Sequence, residues 1–292
     1  MAKGARKLSE LVSKLDVIIE VRDSRAPSST SSPLIKSLSK YTQQKPVIHV
    51  LSRKDLADPE KLQLWLNGLK HTYSADLRKR EGLANIRRAV MDFKPKHREV
   101  RLAVVGIPNV GKSLLLNLLA GKSSASVGNI PGITKSVSWY RNDGMLIVDS
   151  PGILDPHAEA GAHMILSWLG CAKAEVVGGW ENAALSLIRF LTERSMTELI
   201  PVKLETETEG DDVPALTEIL ERIGRRYGCL ISGGRVDTEL AGRKFIEAFS
   251  SGKLGRFCLE VPKGEKAVDF AQRAFNFAER CSAAVKTIYA GE

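Results

Sequence analysis

Unbroken apolar runs alternate with helical periodicity through the first half of the chain. Residues 15–21 and 47–51 are apolar runs bounded by polar segments, the pattern of strands buried on both faces of a parallel sheet. Residues 59–69 space their apolar side chains as a helix laid on a sheet does. Patterns of the same two kinds predict strands at 72–74, 102–105, 137–140 and 145–149, and helices at 33–40, 82–93 and 113–119. The alternation predicts an α/β fold, a mostly parallel sheet with helices on both faces.

The pattern changes after residue 172, where strand-like runs become scarce. Helical periodicity recurs at residues 184–191, 216–223, 236–249 and 267–278. The acidic stretch 205–212 predicts an exposed linker or loop. A chain of 292 residues is long enough for two domains with separate cores. We therefore predict an α/β domain over residues 1–172 and a small all-helical domain over residues 173–292.

Composition and charge narrow the class of protein. No apolar run approaches the length that a bilayer span needs, so we expect a soluble protein without a membrane span. The formal net charge is +9, and basic clusters at residues 78–80, 87–88 and 94–101 favour a polyanionic partner. The alternative is an ordinary solvated surface. In the predicted helical domain the corresponding candidates are Arg243, Lys244, Lys253 and Arg256.

The cysteines and the first residues bear on the cellular compartment. Four cysteines are widely spaced, without a metal-ligand pattern, which predicts free thiols in a reducing compartment. The start of the chain is basic but lacks an apolar signal core, which argues against secretion.

Residues 106–113 read GIPNVGKS and form a complete phosphate-binding loop. Its glycines let the backbone wrap a phosphate, Lys112 is placed to reach the β and γ phosphates, and the Ser113 hydroxyl is placed to bind Mg²⁺. A strand before the loop and a helix after it make a chance glycine turn a poor alternative. The residues assigned to phosphate binding are Asn109, Val110, Gly111, Lys112, Ser113 and Leu114.

Two segments after this loop complete a triphosphate site. Residues 149–152 read DSPG at the end of an apolar strand, where Asp149 can hold the Mg²⁺ shell through water and the Gly152 amide can face the γ phosphate. Between the loop and this turn, residues 128–136 read GNIPGITKS, and Thr134 can close over Mg²⁺ and the γ phosphate, as in a switch. Two ordinary glycine turns are the alternative. The predicted catalytic set is Lys112, Thr134 and Gly152, and the predicted metal set is Ser113, Thr134 and Asp149.

A candidate for base recognition comes before the phosphate loop. Asp55 can accept hydrogen bonds from N1 and N2 of guanine, a geometry that adenine cannot satisfy. The usual pattern is NKxD, whereas this chain has Ser52, Arg53, Lys54 and Asp55. Arg53 can stack its plane on the purine, but serine is shorter than asparagine, so we expect guanine preference with weakened affinity. Ser74 and Ala75, after a short strand, are predicted to offer a backbone amide to the guanine oxygen.

The order of these motifs resembles that of the circularly permuted GTPases. In detail the chain resembles the YlqF/RbgA family of ribosome-assembly GTPases, which includes the related mitochondrial ribosome-associated GTPase. Stretches that carry the resemblance are MAKGARK at the start, DSRAPSSTSSP at 23–33, GIPNVGKS, PGITKS, DSPGIL, ISGGRVD and SGKLGRF.

The resemblance implies a fold, ligands and partners. The fold is a circularly permuted Ras-like P-loop GTPase domain followed by a helical domain that docks on ribosomal RNA. The ligands are GTP, GDP and Mg²⁺, with K⁺ as a further candidate. The partners are the large ribosomal subunit, its rRNA and ribosomal proteins. The protein is expected to be a cytoplasmic monomer. A mitochondrial location is the alternative if a presequence is missing.

The group that positions the attacking water is not evident. Ras-like enzymes use a glutamine directly after the DxxG turn, and this chain has Ile153 there. Family members usually carry a histidine just before the MAKxR stretch, and this sequence begins at Met1 without it. We expect slow intrinsic turnover that ribosomal particles stimulate.

Two other functions use some of the same residues. A small-molecule kinase also has a phosphate loop, but this chain lacks an arginine-rich lid after it, and Asp55 has no role in such an enzyme. An rRNA-binding assembly factor with a weakened, poorly hydrolysing nucleotide site accommodates Ser52 and Arg53. Competition between GTP and ATP separates the kinase from the other two.

Overall fold

A computed structural model describes residues 11–35, 45–121, 126–127, 139–149, 160–204, 213–262, 267–269 and 271–276. The backbone packs into two compact units. The first unit comprises Met1–Pro156 with Phe257–Gly264, and the second comprises His157–Arg256 with Glu265–Glu292. The division into an α/β domain and a helical domain at residue 172 stays a prediction.

The first unit is built on a seven-stranded sheet with the order β3-β2-β1-β4-β7-β6-β5. The β3–β2, β2–β1, β1–β4 and β4–β7 pairs are parallel. The β7–β6 and β6–β5 pairs are antiparallel. The mostly parallel sheet predicted from the sequence is confirmed. The strands are β1 (Val17–Asp23), β2 (Val47–Ser52), β3 (Thr72–Ala75), β4 (Val100–Gly106), β5 (Ser126–Val127), β6 (Trp139–Asn142) and β7 (Met145–Asp149).

The helices of the first unit bury one apolar side each. Helix α1 (Pro59–Gly68) begins at Asp58, whose carboxylate accepts a hydrogen bond from the Lys61 amide at 3.0 Å and satisfies an otherwise open donor. Its Leu62 and Trp65 are buried. Helix α2 (Leu83–Met91) follows β3, and helix α3 (Lys112–Ala120) follows β4. Each of them also buries apolar side chains.

Strand order brings the candidate motifs to one edge of the sheet. Strand β4 leads into the phosphate loop and lies between β1 and β7. Because β1, β2, β4 and β7 are parallel, their carboxyl ends meet at the same edge, where open α/β sheets bind ligands. The segments before β4 in the chain therefore reach the site from one side, and β7 reaches it from the other.

The elements described in the second unit are helical. They are the helices α4 (Ala160–Trp168), α5 (Trp180–Glu193), α6 (Val213–Arg226) and α7 (Thr238–Ser250), with short 3-10 turns between them. Trp168 and Phe190 are fully buried with ring centroids 5.0 Å apart. Phe245 and Phe249 of α7 are buried as well. Among the described residues, every helix is too short or too polar to span a membrane.

Residues 257–260, here named the strap, return to the first unit after α7. Cys258 packs in an apolar cluster with Leu51, Ala57, Leu62 and Trp65. Burial raises the pKa of its thiol to about 12. Like Cys171 and Cys229, Cys258 is a buried free thiol.

Candidate functional site

The phosphate loop has the backbone geometry that its sequence requires. Gly111 has φ 96° and precedes helix α3, a conformation that disfavours side chains. A Cβ at Gly106 would lie 2.9 Å from the Val21 carbonyl oxygen, so the loop leaves β4 in close contact with β1. The loop ends at the amino terminus of α3, where unpaired amides and the helix dipole favour an anion.

Lys112 and Asp149 are brought together by β4 and β7. The Lys112 Nζ donates a hydrogen bond to Asp149 Oδ1 at 2.7 Å. Lys112 is buried, whereas the carboxylate of Asp149 is 43% exposed. P-loop NTPases use a lysine to contact the β and γ phosphates and an aspartate to help hold the divalent cation.

The structure describes two of the three predicted metal ligands. Ser113 is exposed in the first turn of α3, with Leu114 beside it, and Asp149 lies at the end of β7. Thr134 and Gly152 lie outside the described residues. Within the part of the chain that is described, no group of three His, Cys, Asp or Glu side chains could hold a metal ion by itself. A hydroxyl and a carboxylate beside phosphate oxygens are the hard ligands that suit Mg²⁺.

The base-recognition segment follows β2 as a single 3-10 turn, Lys54–Leu56. Lys54 pairs with Glu81 at 2.7 Å, and Asp55 is half-buried. Ser52 and Ala75 are paired in the β2–β3 register, so the Ser74 and Ala75 segment ends at the same edge as this turn. The structure therefore brings the predicted base-reading residues beside the phosphate loop.

Ser52 joins these two parts of the site directly. Its buried hydroxyl lies 2.6 Å from the Val110 carbonyl oxygen and 3.0 Å from that of Arg22, and its single proton serves one acceptor at a time. The shorter contact ties β2 to the phosphate loop. The sequence comparison with NKxD shows only that serine is shorter; the bond to Val110 appears in the structure.

Arg53 has a second link to the phosphate loop. Its guanidinium donates to the Asn109 carbonyl oxygen at 2.6 Å and to Asp23 Oδ2 at 3.0 Å. Both Nη groups of the fork are therefore engaged with the protein. Stacking of Arg53 on a purine stays a prediction.

Asp23 and Arg25 belong to the site region, and sequence reasoning gave them no role beyond the family resemblance. Asp23 is fully buried and accepts two hydrogen bonds from the Arg25 guanidinium, each at 2.9 Å. Burial alone would raise the pKa of Asp23, but the charges of Arg25 and Arg53 outweigh it and lower the pKa below its ordinary value. An aspartate at the end of a buried strand, with an arginine two residues later, was the available signal.

Comparison with known proteins agrees with this geometry. A family profile described as MMR_HSR1, 50S ribosome-binding GTPase, matches residues 101–197. Ribosome biogenesis GTPase A of Priestia megaterium is 30% identical over 281 residues, covering 90% of this chain and 94% of the relative. The protein of the same name from Thermotoga maritima is 30% identical over 262 residues, covering 89% and 92%.

Solved structures agree in fold. A structure described as GDP-bound TM YlqF superposes with a TM-score of 0.64 at 25% identity, covering 89% of this chain and all of that one. GNP-bound YlqF from T. maritima gives a TM-score of 0.64 at 24% identity. The motifs follow one another along the chain in the permuted order, and relatives match over nearly their whole length. This chain therefore belongs to the ribosome biogenesis GTPase A (YlqF/RbgA) family of circularly permuted GTPases.

Proposed function

We propose that this chain binds GTP, hydrolyses it to GDP and phosphate, and acts as a switch in the maturation of the large ribosomal subunit. The observation that carries the proposal is a pair of hydrogen bonds that join the ends of β2 and β7 to the phosphate loop and the helix after it. Ser52 bonds to Val110 at 2.6 Å, and Lys112 bonds to Asp149 at 2.7 Å. These contacts support a single site made of the base-reading turn, the phosphate loop and the carboxylate of β7.

Each residue has a chemical role in this proposal. Lys112 neutralises the β and γ phosphates, and Asp55 accepts the guanine N1 and N2 hydrogens. The backbone at Ser74 and Ala75 donates to the guanine oxygen. The Ser113 hydroxyl and, through water, Asp149 would hold Mg²⁺, which would supply positive charge to the phosphate oxygens. Thr134 and Gly152 are assigned to the γ phosphate side from the sequence alone.

Turnover is proposed to be slow in the isolated protein. The position used for a water-orienting glutamine holds Ile153, which has no donor or acceptor in its side chain. Another group, a K⁺ ion or the ribosome must therefore position the water. Comparing GTP hydrolysis with and without large-subunit particles tests the nucleotide, the partner and catalytic competence together; rapid hydrolysis by the protein alone would contradict slow intrinsic turnover.

The polyanionic partner is proposed to be rRNA. Asp76 Oδ1 accepts hydrogen bonds from the Arg78 and Lys79 amides at 3.0 and 3.2 Å, a turn that leaves the cluster at residues 78–80 exposed. Such a cluster suits phosphates. Arg98, by contrast, is bonded to Asp16 at 2.6 Å. A binding slope against salt concentration counts the phosphate contacts.

The same proposal includes the partner, the location and the oligomeric state of the protein. Relatives are named for ribosome biogenesis, which supports a ribosomal particle as partner and a cytoplasmic location. A switch predicts different large-subunit affinity with a GTP analogue and with GDP; equal affinity would overturn it. The protein is proposed to act as a monomer with ribosomal proteins nearby.

One alternative has an observation in its favour. Arg53 directs its guanidinium to Asp23 and Asn109, which favours weakened purine stacking and hence an rRNA-binding factor with poor hydrolysis. GDP binding without turnover, even with ribosomal particles present, would support that alternative. Membership of a GTPase family leaves the kinase alternative without support.

A further inference from the structure

The base-reading turn has little packing of its own. None of the residues in Lys54–Leu56 is buried, and no side-chain hydrogen bond caps the turn. Yet base selectivity requires the Asp55 carboxylate to hold one position, because hydrogen bonds weaken steeply with distance and angle. The ion pair of Lys54 with Glu81 lies at the surface, where such pairs contribute little. Contacts from other segments must therefore hold the turn.

The strap contacts the turn at its carboxyl end. The Phe257 amide donates a hydrogen bond to the carbonyl oxygen of Leu56, the residue after Asp55, at 3.1 Å. The next residue, Cys258, packs in the apolar cluster with Ala57 and Trp65. A segment about 200 residues away in the chain thus fixes the backbone beside Asp55.

The strap also reaches the amino end of the turn, through Arg25. The Leu259 amide donates to the Arg25 carbonyl oxygen at 2.8 Å, and the Phe257 ring lies 5.3 Å from the Arg25 guanidinium carbon. Arg25 holds Asp23, and Asp23 accepts from Arg53 at 3.0 Å. Arg53 directly precedes the turn. Contacts from the strap therefore reach both ends of the turn, directly at Leu56 and through Arg25 and Asp23 at Arg53.

Glu260 anchors the strap to the first unit. It is 5% exposed, and its carboxylate accepts hydrogen bonds from the Ser28 amide at 2.7 Å and from the amide and hydroxyl of Ser29. Its carbonyl oxygen accepts from the Trp65 indole at 3.2 Å. Burial raises the pKa of Glu260, against the hydrogen bonds from Ser29 and Ser28.

We propose that the strap is a positioning element of the nucleotide site: Phe257 and Glu260 hold the Lys54–Leu56 turn so that Asp55 reads guanine. This inference rests on the proposed GTP binding. It assigns a part in base selectivity to residues that lie outside the recognition motifs.

The test compares GDP with inosine diphosphate in the full-length chain. The inosine base lacks the N2 amine, so the ratio of the two dissociation constants reports the bond between that amine and Asp55. We expect a ratio of about tenfold in the unchanged protein, the effect of one charge-assisted hydrogen bond. In Glu260→Gln, which keeps the shape of the side chain but loses its charge, the ratio should fall to about twofold.

Phe257→Leu is the second variant, because it retains an apolar side chain while removing the contact with the Arg25 guanidinium. It should lower the ratio in the same direction. Glu60→Gln, at an exposed position of α1, is the matched control and should leave the ratio unchanged. Far-ultraviolet circular dichroism and urea unfolding establish that each variant is folded.

Amide hydrogen exchange gives the reciprocal measurement. If the strap and the base are coupled, GDP slows exchange at Phe257 and Leu259 more than inosine diphosphate does. An unchanged ratio in both strap variants would overturn the inference, as would equal losses of the two affinities. Failure of the unchanged protein to bind GDP would instead overturn the proposed function.

Discussion

The hydroxyl of Ser52 offers a direct test of how the two halves of the site are joined. In Ser52→Ala the buried oxygen 2.6 Å from the Val110 carbonyl is removed, while the backbone and Cβ stay. A lost neutral hydrogen bond lowers the free energy of unfolding by about 1 kcal/mol, and an unsatisfied buried carbonyl brings the total to about 2 kcal/mol. For a unit of this size the thermal midpoint should fall by about 2–4 °C for each kcal/mol.

The same substitution should weaken nucleotide binding, because the phosphate loop loses its tie to β2. If the whole bond acts on the bound state, the dissociation constant for GDP rises by about fivefold to thirtyfold. Fluorescence titration with GDP and urea unfolding measure the two effects separately. Thr72→Ala is the control, since that hydroxyl bonds only to the Lys70 carbonyl at 3.4 Å among the described contacts.

Stability and GDP affinity can each refute the role of Ser52. A loss of stability with unchanged GDP affinity would show that Ser52 supports the fold without supporting the site. Unchanged values in both assays would refute the hydrogen bond itself. Either outcome would leave Ser52 without a role in joining β2 to a functioning phosphate loop.

Three further predictions concern charged residues. Lys112→Ala should abolish measurable GTP hydrolysis and weaken GTP more than GDP, measured by phosphate release and titration, because the lysine reaches the γ phosphate; equal weakening would contradict that role. Asp55→Asn should lower GDP affinity and raise that for xanthosine diphosphate, since the amide donates where the carboxylate accepts; competition titration measures the exchange, and retained GDP preference would argue against Asp55. The pKa of Glu20 is lowered from 4.5 to about 2, because the effect of burial is outweighed by contacts with His49 and Arg22. The ionised Glu20 therefore contributes up to about 3 kcal/mol to the free energy of unfolding above pH 4.5, and this contribution is lost as the pH falls towards 2. Urea midpoints should therefore fall between pH 5 and pH 3 less steeply in Glu20→Gln than in the unchanged protein, and parallel slopes would rule the contribution out.

Sequence periodicity predicted the sheet well where burial is simple. Residues 145–149 were predicted as a strand and form β7, because Met145, Leu146, Ile147 and Val148 are all buried. The prediction for the first strand ended at residue 21, whereas β1 runs to Asp23. Its polar end stays in the sheet because Arg25 and Arg53 neutralise the carboxylate, an arrangement that apolar patterns cannot report.

Motif spacing located the phosphate loop and the Asp149 carboxylate, but it did not locate the residues that support them. The loop motif is local, and every part of it lies within eight residues. The contact between Glu260 and Ser28 spans 232 residues, and no local pattern marks either partner. Thr134 and Gly152 stay predictions, since both lie outside the described part of the chain.

The strap lies about 200 residues after the base-reading turn in the chain, which has a consequence for synthesis. A nascent chain folds from its amino terminus as it leaves the ribosome. The sheet, the phosphate loop and the base-reading turn all emerge well before Phe257, yet Trp65 and Leu62 cannot complete their apolar cluster until Cys258 follows. A chain released before residue 257 would therefore carry its nucleotide motifs without the strap, and the support proposed for its base-reading turn would be missing.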